Sequence, residues 1–194
     1  MKLKGTKTAE NLLKSFAGES QARNRYTFYS SVAKKEGFVQ ISKIFLETAE
    51  QEREHAKTFF KFLKDEFADE MLEINAAYPI ALHDQTLKNL KAAAAGEHGE
   101  WSHDYPEFAK VAREEGFEDI AFAYEKITEV EKTHEEKYLK LAANIENDKV
   151  FKKDTKVAWR CLNCGYIYEG LEAPQICPAC RHPQGYFEVW VENY

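Results

Sequence analysis

The stretch AGEHGEWSHDYPEFAKVAREEGF at residues 95–117 repeats, with one inserted residue, the earlier stretch AGESQARNRYTFYSSVAKKEGF at residues 17–38. Glu19 and Glu97 align at an offset of 78, whereas the tyrosine and the Glu-Gly-Phe triplet that follow align at 79. The offset of 79 continues downstream to a Glu-x-x-His motif in each half. A shared offset over several landmarks indicates that residues 1–145 contain two related halves.

Each half has the apolar spacing of a helical hairpin. Thr8 and Asp84 are predicted N-caps, and Pro106 is expected to kink the third helix or break one of its backbone bonds. Residues 66–83 lose the helical period and are interpreted as a crossover connection. Four long helices with one long connection predict a mostly α protein with a ferritin-like four-helix bundle. The predicted helices cover 8–35, 38–65, 84–114 and 118–145.

The repeat places acids and imidazoles at matched positions. Residues three apart share one face of a helix, so each Glu-x-x-His pair points one way. One such motif alone is more often a solvated pair, but the symmetric set indicates a metal site. Several carboxylates in a bundle core require compensating cations, and carboxylate with imidazole suits iron or manganese. Glu100 is a surplus acid three positions after Glu97. The matched positions are Glu19, Glu52, His55, Glu97, Glu131 and His134.

Two matched tyrosines, Tyr26 and Tyr105, lie about two helical turns after the first acid of each half. Core packing is one interpretation of these residues. A hydrogen bond to a ligand carboxylate is the other, and the sequence leaves the choice open.

Two Cys-x-x-Cys pairs, at 161–164 and 177–180, form the C-terminal motif, after the polar stretch ENDKVFKKDTK. This spacing indicates a tetrathiolate metal site, for which zinc and iron are equally compatible. A module of about 40 residues needs such a metal to fold. The predicted division is a bundle domain over 1–147 and a linker with a small metal-ribbon domain over 148–194. The cysteines are Cys161, Cys164, Cys177 and Cys180.

Composition narrows the function classes. The net charge is −6, and there is no long basic block, which argues against nucleic acid or an anionic membrane as partner. No apolar run has the length of a membrane span, and the opening stretch MKLKGTKTAENLLKSFAGES lacks a signal-peptide pattern. We therefore expect a cytoplasmic protein whose cysteines bind metal rather than form disulfides.

The chain resembles the rubrerythrin family over nearly its whole length. The resemblance implies iron in both sites: two ions at a carboxylate-bridged di-iron site, and one in a rubredoxin-like Fe(SCys)4 site. The motifs that carry the resemblance are FAGESQARNRY at 16–26, EQEREHAK at 50–57, AAGEHGEW at 94–101, EKTHEEK at 131–137, and CLNCGY with CPAC.

The resemblance also implies roles for individual residues. The second iron would exchange its ligand between Glu100 and His55 as its redox state changes, and protons would come from Glu100 or from the tyrosines Tyr26 and Tyr105. The remaining implied roles are terminal ligation by Glu19 and Glu97, bridging by Glu52 and Glu131, and ligation of the first iron by His134.

The implied activity is reduction of hydrogen peroxide to water in oxidative-stress defence. Electrons would come through the tetrathiolate iron from an external donor, either a rubredoxin or an NAD(P)H-dependent reductase. A head-to-tail homodimer, or a higher oligomer, would bring the two kinds of site together. Two other functions stay open at this point: a ferroxidase or iron-handling protein of ferritin type, and a structural protein with zinc in its tail.

Overall fold

The computed structural model describes residues 2–194. Its bundle consists of two helical hairpins, and each hairpin turns at a glycine with positive φ, 85° at Gly37 and 83° at Gly116. The residue after each glycine donates its N–H to a carbonyl five positions back, which closes the helix end. The helices are α1 (Lys7–Lys35), α2 (Val39–Phe67), α3 (Thr86–Gly99), α4 (Tyr105–Glu114) and α5 (Glu118–Glu146).

The predicted third helix is not continuous. A π-helical turn, Glu100–Asp104, separates α3 from α4, and Pro106 falls in the first turn of α4, where its missing N–H costs little. A π turn accommodates one extra residue in a helix. It lies between Glu97 and Tyr105, where the repeat offset changes from 78 to 79, so the π turn is the structural form of the inserted residue.

Both predicted N-caps are wrong. Helix α1 is capped by Thr6, whose hydroxyl accepts the Ala9 N–H at 3.1 Å. Thr8 instead lies inside the helix and donates to Glu115, because that carboxylate lies at the neighbouring hairpin turn. Helix α3 begins at Thr86, with Gln85 rather than Asp84 in the cap position and no side-chain cap bond.

The buried apolar side chains form two clusters that lie above and below the middle of the bundle. One cluster, which includes Leu12, Phe59 and Tyr124, packs at the end where the chain enters α1. The other, which includes Phe45 and Tyr138, packs toward the Gly37 turn. The shared spacing of the repeat leaves the acids and imidazoles between these clusters, so the polar site is enclosed by apolar layers. No helix within residues 2–194 combines the length and apolarity that a bilayer crossing requires.

The C-terminal part is a three-stranded antiparallel sheet in the order β2-β1-β3. Its small core holds Trp159 and Phe187, whereas Tyr168 is 40% exposed. Trp190 instead stacks on Arg160, 4.2 Å from guanidinium carbon to ring centre. The strands are β1 (Lys152–Cys161), β2 (Ile167–Glu172) and β3 (Phe187–Val189). The predicted division at residues 147 and 148 falls between α5 and β1 and stays a prediction.

The sheet part docks against the α1–α2 turn. A Cβ added at Gly185 would come within 2.1 Å of the Gly37 carbonyl oxygen, so this contact requires glycine. Beside it, Phe38 and Phe151 stack with ring centres 6.0 Å apart and planes inclined by 7°. The C-terminal sheet therefore lies at the end of the bundle that contains the Gly37 turn.

Candidate metal centres

The four long helical segments bring six of the predicted ligands to one buried point. Ligand atoms of Glu19, Glu52, His55 and Glu131 lie within 4.8 Å of one another. A second group, within the same distance limit, also contains Glu52 and Glu131. Each group thus has one acid and one imidazole of its own, and the two shared acids lie between two possible cation positions. The second group consists of Glu52, Glu97, Glu131 and His134.

Unpartnered polar atoms show that these residues fit metal ions. Both carboxylate oxygens of Glu131 are buried without a well-aligned hydrogen bond, as are Glu19 Oε2, Glu52 Oε1 and His134 Nδ1. Imidazole Nδ1 atoms lie 2.8–3.1 Å from these Glu131 and Glu52 oxygens, but at poor hydrogen-bond angles. A buried acceptor without a partner is costly, and several converging on one point are unusual in a folded core. Two divalent cations would satisfy these atoms and balance the acids. The donor set of carboxylate and imidazole is the one that iron or manganese prefers.

Burial and mutual repulsion control the charges in the metal-free centre. Burial, and then the neighbouring carboxylates, raise the pKa of Glu19 and of Glu97 well above the ordinary value. Burial also acts to raise the pKa of Glu52, but hydrogen bonds from both imidazoles outweigh it and lower that pKa to about 2. Burial opposes protonation of the imidazoles, yet their carboxylate partners raise the pKa of His55 to about 10 and of His134 to about 9. Protons therefore occupy the positions that metal ions would neutralise.

The matched tyrosines donate hydrogen bonds to ligand-group acids, and their rings pack in the two apolar clusters, so the structure bears out both interpretations of these residues. Tyr105 donates to Glu19 Oε1 at 2.5 Å, and Tyr26 donates to Glu97 Oε1. Burial, and then nearby carboxylates, raise the pKa of both phenols well above its usual value. Both hydroxyls thus remain protonated and available as donors. Their role in the reaction stays a prediction.

Gln51 is a contact that the repeat did not reveal. Its Oε1 lies 3.0 Å from His134 Nε2, while His134 Nδ1 faces Glu131 and Glu52 at 2.8 and 3.1 Å. A ligand imidazole is held in one tautomer when its second nitrogen has a fixed partner. The equivalent position in the second half is Val130, so the contact belongs to one half only and leaves no signal in the repeat.

Glu100 lies outside both ligand groups. It begins the π turn and lines a cavity of about 260 Å³ with Gly18, Arg25 and Tyr78. Tyr78, from the crossover connection, donates to the Lys14 carbonyl at 2.7 Å and covers one side of the cavity. Burial, and then repulsion from Glu131 and Glu52, raise the pKa of Glu100 well above its usual value. The resemblance implied two arrangements, with either His55 or Glu100 as the exchangeable ligand. The structure has the arrangement in which His55 belongs to the ligand group and Glu100 does not.

The four cysteines form the second centre. The Sγ atoms of Cys161 and Cys180 are 3.7 Å apart, and those of Cys164 and Cys177 are 3.6 Å apart. A tetrahedron with metal–sulfur bonds of about 2.3 Å has sulfur–sulfur edges of about 3.8 Å. A disulfide requires about 2.05 Å, so this geometry fits a bound ion.

A backbone donor favours the thiolate form of one of these cysteines. The His182 N–H is the main cause that lowers the pKa of Cys180 to about 6. The Gly165 backbone, with φ of 78°, turns the chain directly after the first cysteine pair. Each Cys-x-x-Cys loop thus presents its sulfurs and nearby N–H groups to one point, as the spacing predicted.

Comparison with known protein families decides which metal the two sites hold. The model of the Rubrerythrin family matches residues 10–142, and the model described as "Rubrerythrin, rubredoxin-like domain" matches residues 159–188. The chain belongs to the rubrerythrin family. Its bundle therefore holds a carboxylate-bridged di-iron site, and its four cysteines hold one iron.

Individual relatives extend over the whole chain. A rubrerythrin of Clostridium perfringens is 64% identical over 192 residues, covering 99% of this chain and 98% of the relative. The rubrerythrin of Nitratidesulfovibrio vulgaris is 54% identical over 192 residues, with 99% and 98% coverage. Among solved structures, nigerythrin in a mixed-valence state aligns with a TM-score of 0.63 at 27% identity, covering 97% of this chain and 92% of that one. The rubrerythrin fold, a ferritin-like bundle with a rubredoxin-like tail, is thus confirmed.

Proposed function

We propose that this member of the rubrerythrin family reduces hydrogen peroxide to water, using two electrons and two protons for each peroxide. The observation that carries the proposal is a buried acid–imidazole centre beside a cavity of about 260 Å³, in the same chain as a tetracysteine site. The bound irons would supply the electrons. A dedicated electron carrier in the chain suits repeated reduction of a substrate better than storage of iron.

The proposed ligands follow the two groups. Glu19 and His55 would hold one iron, and Glu97 and His134 the other, as terminal ligands. The shared acids Glu52 and Glu131 would bridge the two. Glu100 would exchange with His55 as ligand, because an added anion stabilises ferric iron and a neutral imidazole suits ferrous iron.

The residues around the cavity would handle substrate and protons. Peroxide is small enough to occupy the cavity that Gly18 and Tyr78 line. Burial and the neighbouring carboxylates raise the pKa of Glu100, which favours the protonated form of its carboxyl group beside the cavity. That group would donate a proton to a peroxide oxygen as the O–O bond breaks, and Tyr105 would hold Glu19 in place during the exchange.

Electron supply favours a head-to-tail homodimer. The tetracysteine part docks at Gly37, and the length of helix between Glu19 and that turn is about 27 Å. A second subunit placed in the opposite direction would bring its own tetrathiolate iron closer to this centre. The external donor would be a rubredoxin or an NAD(P)H-dependent reductase. We also infer a cytoplasmic location, because the thiols are arranged for metal and not for disulfides.

The test compares two oxidants. The fully reduced protein is mixed with hydrogen peroxide or with dioxygen in a stopped-flow spectrometer, and oxidation is followed by absorbance. We expect rapid oxidation by peroxide and much slower oxidation by dioxygen. Comparable rates would contradict the proposal and support a ferroxidase function instead.

A further inference from the structure

A buried cation lies beside the surplus acid of the centre. Arg25 is 8% exposed, and its guanidinium forms no ion pair with a carboxylate within residues 2–194. Its Nε donates to Gln21 Oε1 at 2.6 Å, and its Nη1 lies 3.4 Å from the Tyr29 hydroxyl. A buried charge normally has a counter-ion in direct contact, so this guanidinium requires an explanation.

The guanidinium faces the cavity that Glu100 lines. A Cβ added at Gly96 would lie 3.6 Å from Arg25 Nη2, and one at Gly18 would lie 3.9 Å from Glu100 Oε1. Gly96 precedes Glu100 by four positions, so both lie on one helix face. The glycines therefore let the Arg25 guanidinium and the Glu100 carboxylate lie close to the backbone of the walls of the same cavity.

Other charges near the cavity do not replace Arg25 in this role. Lys14, at the rim, already pairs with Glu10 at 3.9 Å. Asp104 also lines the cavity, but it is an acid and repels Glu100. Position 25 corresponds to position 104 in the repeat, so the two halves contribute a cation and an anion to one cavity.

We propose that Arg25 is a positioning residue that holds the Glu100 carboxylate in the cavity, away from the metal ligands, and thereby controls how readily Glu100 joins the metal. The attraction competes with the cation that Glu100 would ligate. Its strength sets the balance between the two arrangements of Glu100 and His55. This inference rests on the proposed exchange of Glu100 as a ligand.

The experiment measures metal affinity without turnover. The full chain, with zinc in its tetracysteine site, is titrated with Mn²⁺, and free Mn²⁺ is followed by electron paramagnetic resonance. Arg25→Gln is expected to tighten binding about tenfold, since Glu100 loses its competing partner. Arg25→Lys keeps the charge and should stay close to wild type.

A double-mutant cycle shows whether Arg25 acts through Glu100. In a Glu100→Gln background, Arg25→Gln should change Mn²⁺ affinity less than about twofold. An equal tightening in both backgrounds would overturn the proposal, because the guanidinium would then act as a general repulsive charge on the metal. Unchanged affinity in the wild-type background would overturn it as well.

Two further measurements separate folding and function from positioning. If Arg25→Gln does not fold, Gln21→Ala removes the acceptor that orients the guanidinium and should tighten Mn²⁺ binding in the same direction; no tightening would count against the proposal. Failure of the proposed ligand exchange itself would appear differently, as peroxide oxidation that is unaffected by Glu100→Gln alone.

Discussion

The Tyr105 hydroxyl donates a 2.5 Å hydrogen bond to Glu19 Oε1, and these residues belong to opposite halves of the repeat. Tyr26 makes the reciprocal bond to Glu97. Each hairpin thus orients an acid of the other hairpin, so neither half completes the centre alone. The two hydrogen bonds connect the hairpins beside the metal ligands.

Replacing Tyr105 by Phe should destabilise the metal-free protein by about 1–3 kcal/mol, because a buried carboxyl oxygen loses its donor. Urea unfolding in the presence of a chelator measures this change. Tyr124→Phe is the matched control: Tyr124 is equally buried but its hydroxyl pairs with Ser15 at 3.0 Å, and we expect a loss of about 1 kcal/mol. An equal decrease in the free energy of unfolding in both variants would show that the hydrogen bond to Glu19 stabilises the protein no more than the one to Ser15.

Stability of the metal-free bundle should fall as pH rises from about 6.5 to 10. The folded pKa values of His55, about 10, and His134, about 9, lie above the unfolded value of 6.5. Their stabilisation is therefore complete below pH 6.5 and is lost as pH rises through 9 and 10. The raised pKa values of Glu19 and Glu97 act with the same sign, since both acids must give up protons inside the bundle.

The measurement is urea unfolding of chelator-treated protein at several pH values. Each imidazole contributes a slope of at most about 1.4 kcal/mol per pH unit across its window. The iron-loaded protein is the control, because metal has already displaced those protons, and its stability should not decline over this range. A flat profile for the metal-free protein would contradict the proton assignment.

The hairpins and the ligand groups can be predicted because the repeat is periodic. The predicted helix ends lie within a few positions of the observed ones, and the matched acids do converge. The π turn escapes prediction because a helical period cannot distinguish a kink at Pro106 from an extra residue before it. The shift in offset ahead of Tyr105 is the available signal. Arg25 and Gln51 escape prediction because the equivalent positions in the other half hold Asp104 and Val130, so the repeat does not mark them.

The docking of the C-terminal part cannot be predicted from local patterns. It depends on the approach of Gly185 to the Gly37 carbonyl, and these residues lie near opposite ends of the chain. A glycine after Gln184 is equally compatible with an ordinary turn. Long-range contacts of two backbones leave no periodic signal.

Gly185→Ala should detach the C-terminal part from the bundle. The added Cβ would meet the Gly37 carbonyl at 2.1 Å, and backbone cannot yield by that amount. We expect faster proteolysis of the linker near Asp148 and a larger radius in X-ray scattering, with the bundle melting unchanged. Gly99→Ala is the control, since no atom lies within 4 Å of its Cβ position, and it should leave both readouts as in wild type. An unchanged scattering profile for Gly185→Ala would show that the contact does not hold the two parts together.

Electron transfer between subunits can be tested by complementation. Cys161→Ser removes one thiolate of the tetracysteine site, and Glu131→Gln removes a carboxylate that both bundle ligand groups share. Each variant alone should lose peroxide turnover with an external reductant, although reduced Cys161→Ser should still be oxidised once in its bundle. Unfolding and refolding an equal mixture should give heterodimers in which one intact tetracysteine site faces one intact bundle, and about a quarter of wild-type turnover returns. The same treatment of each variant by itself is the control. If the mixture stays inactive while heterodimers are present by mass spectrometry, electrons move within one subunit and the head-to-tail arrangement is wrong.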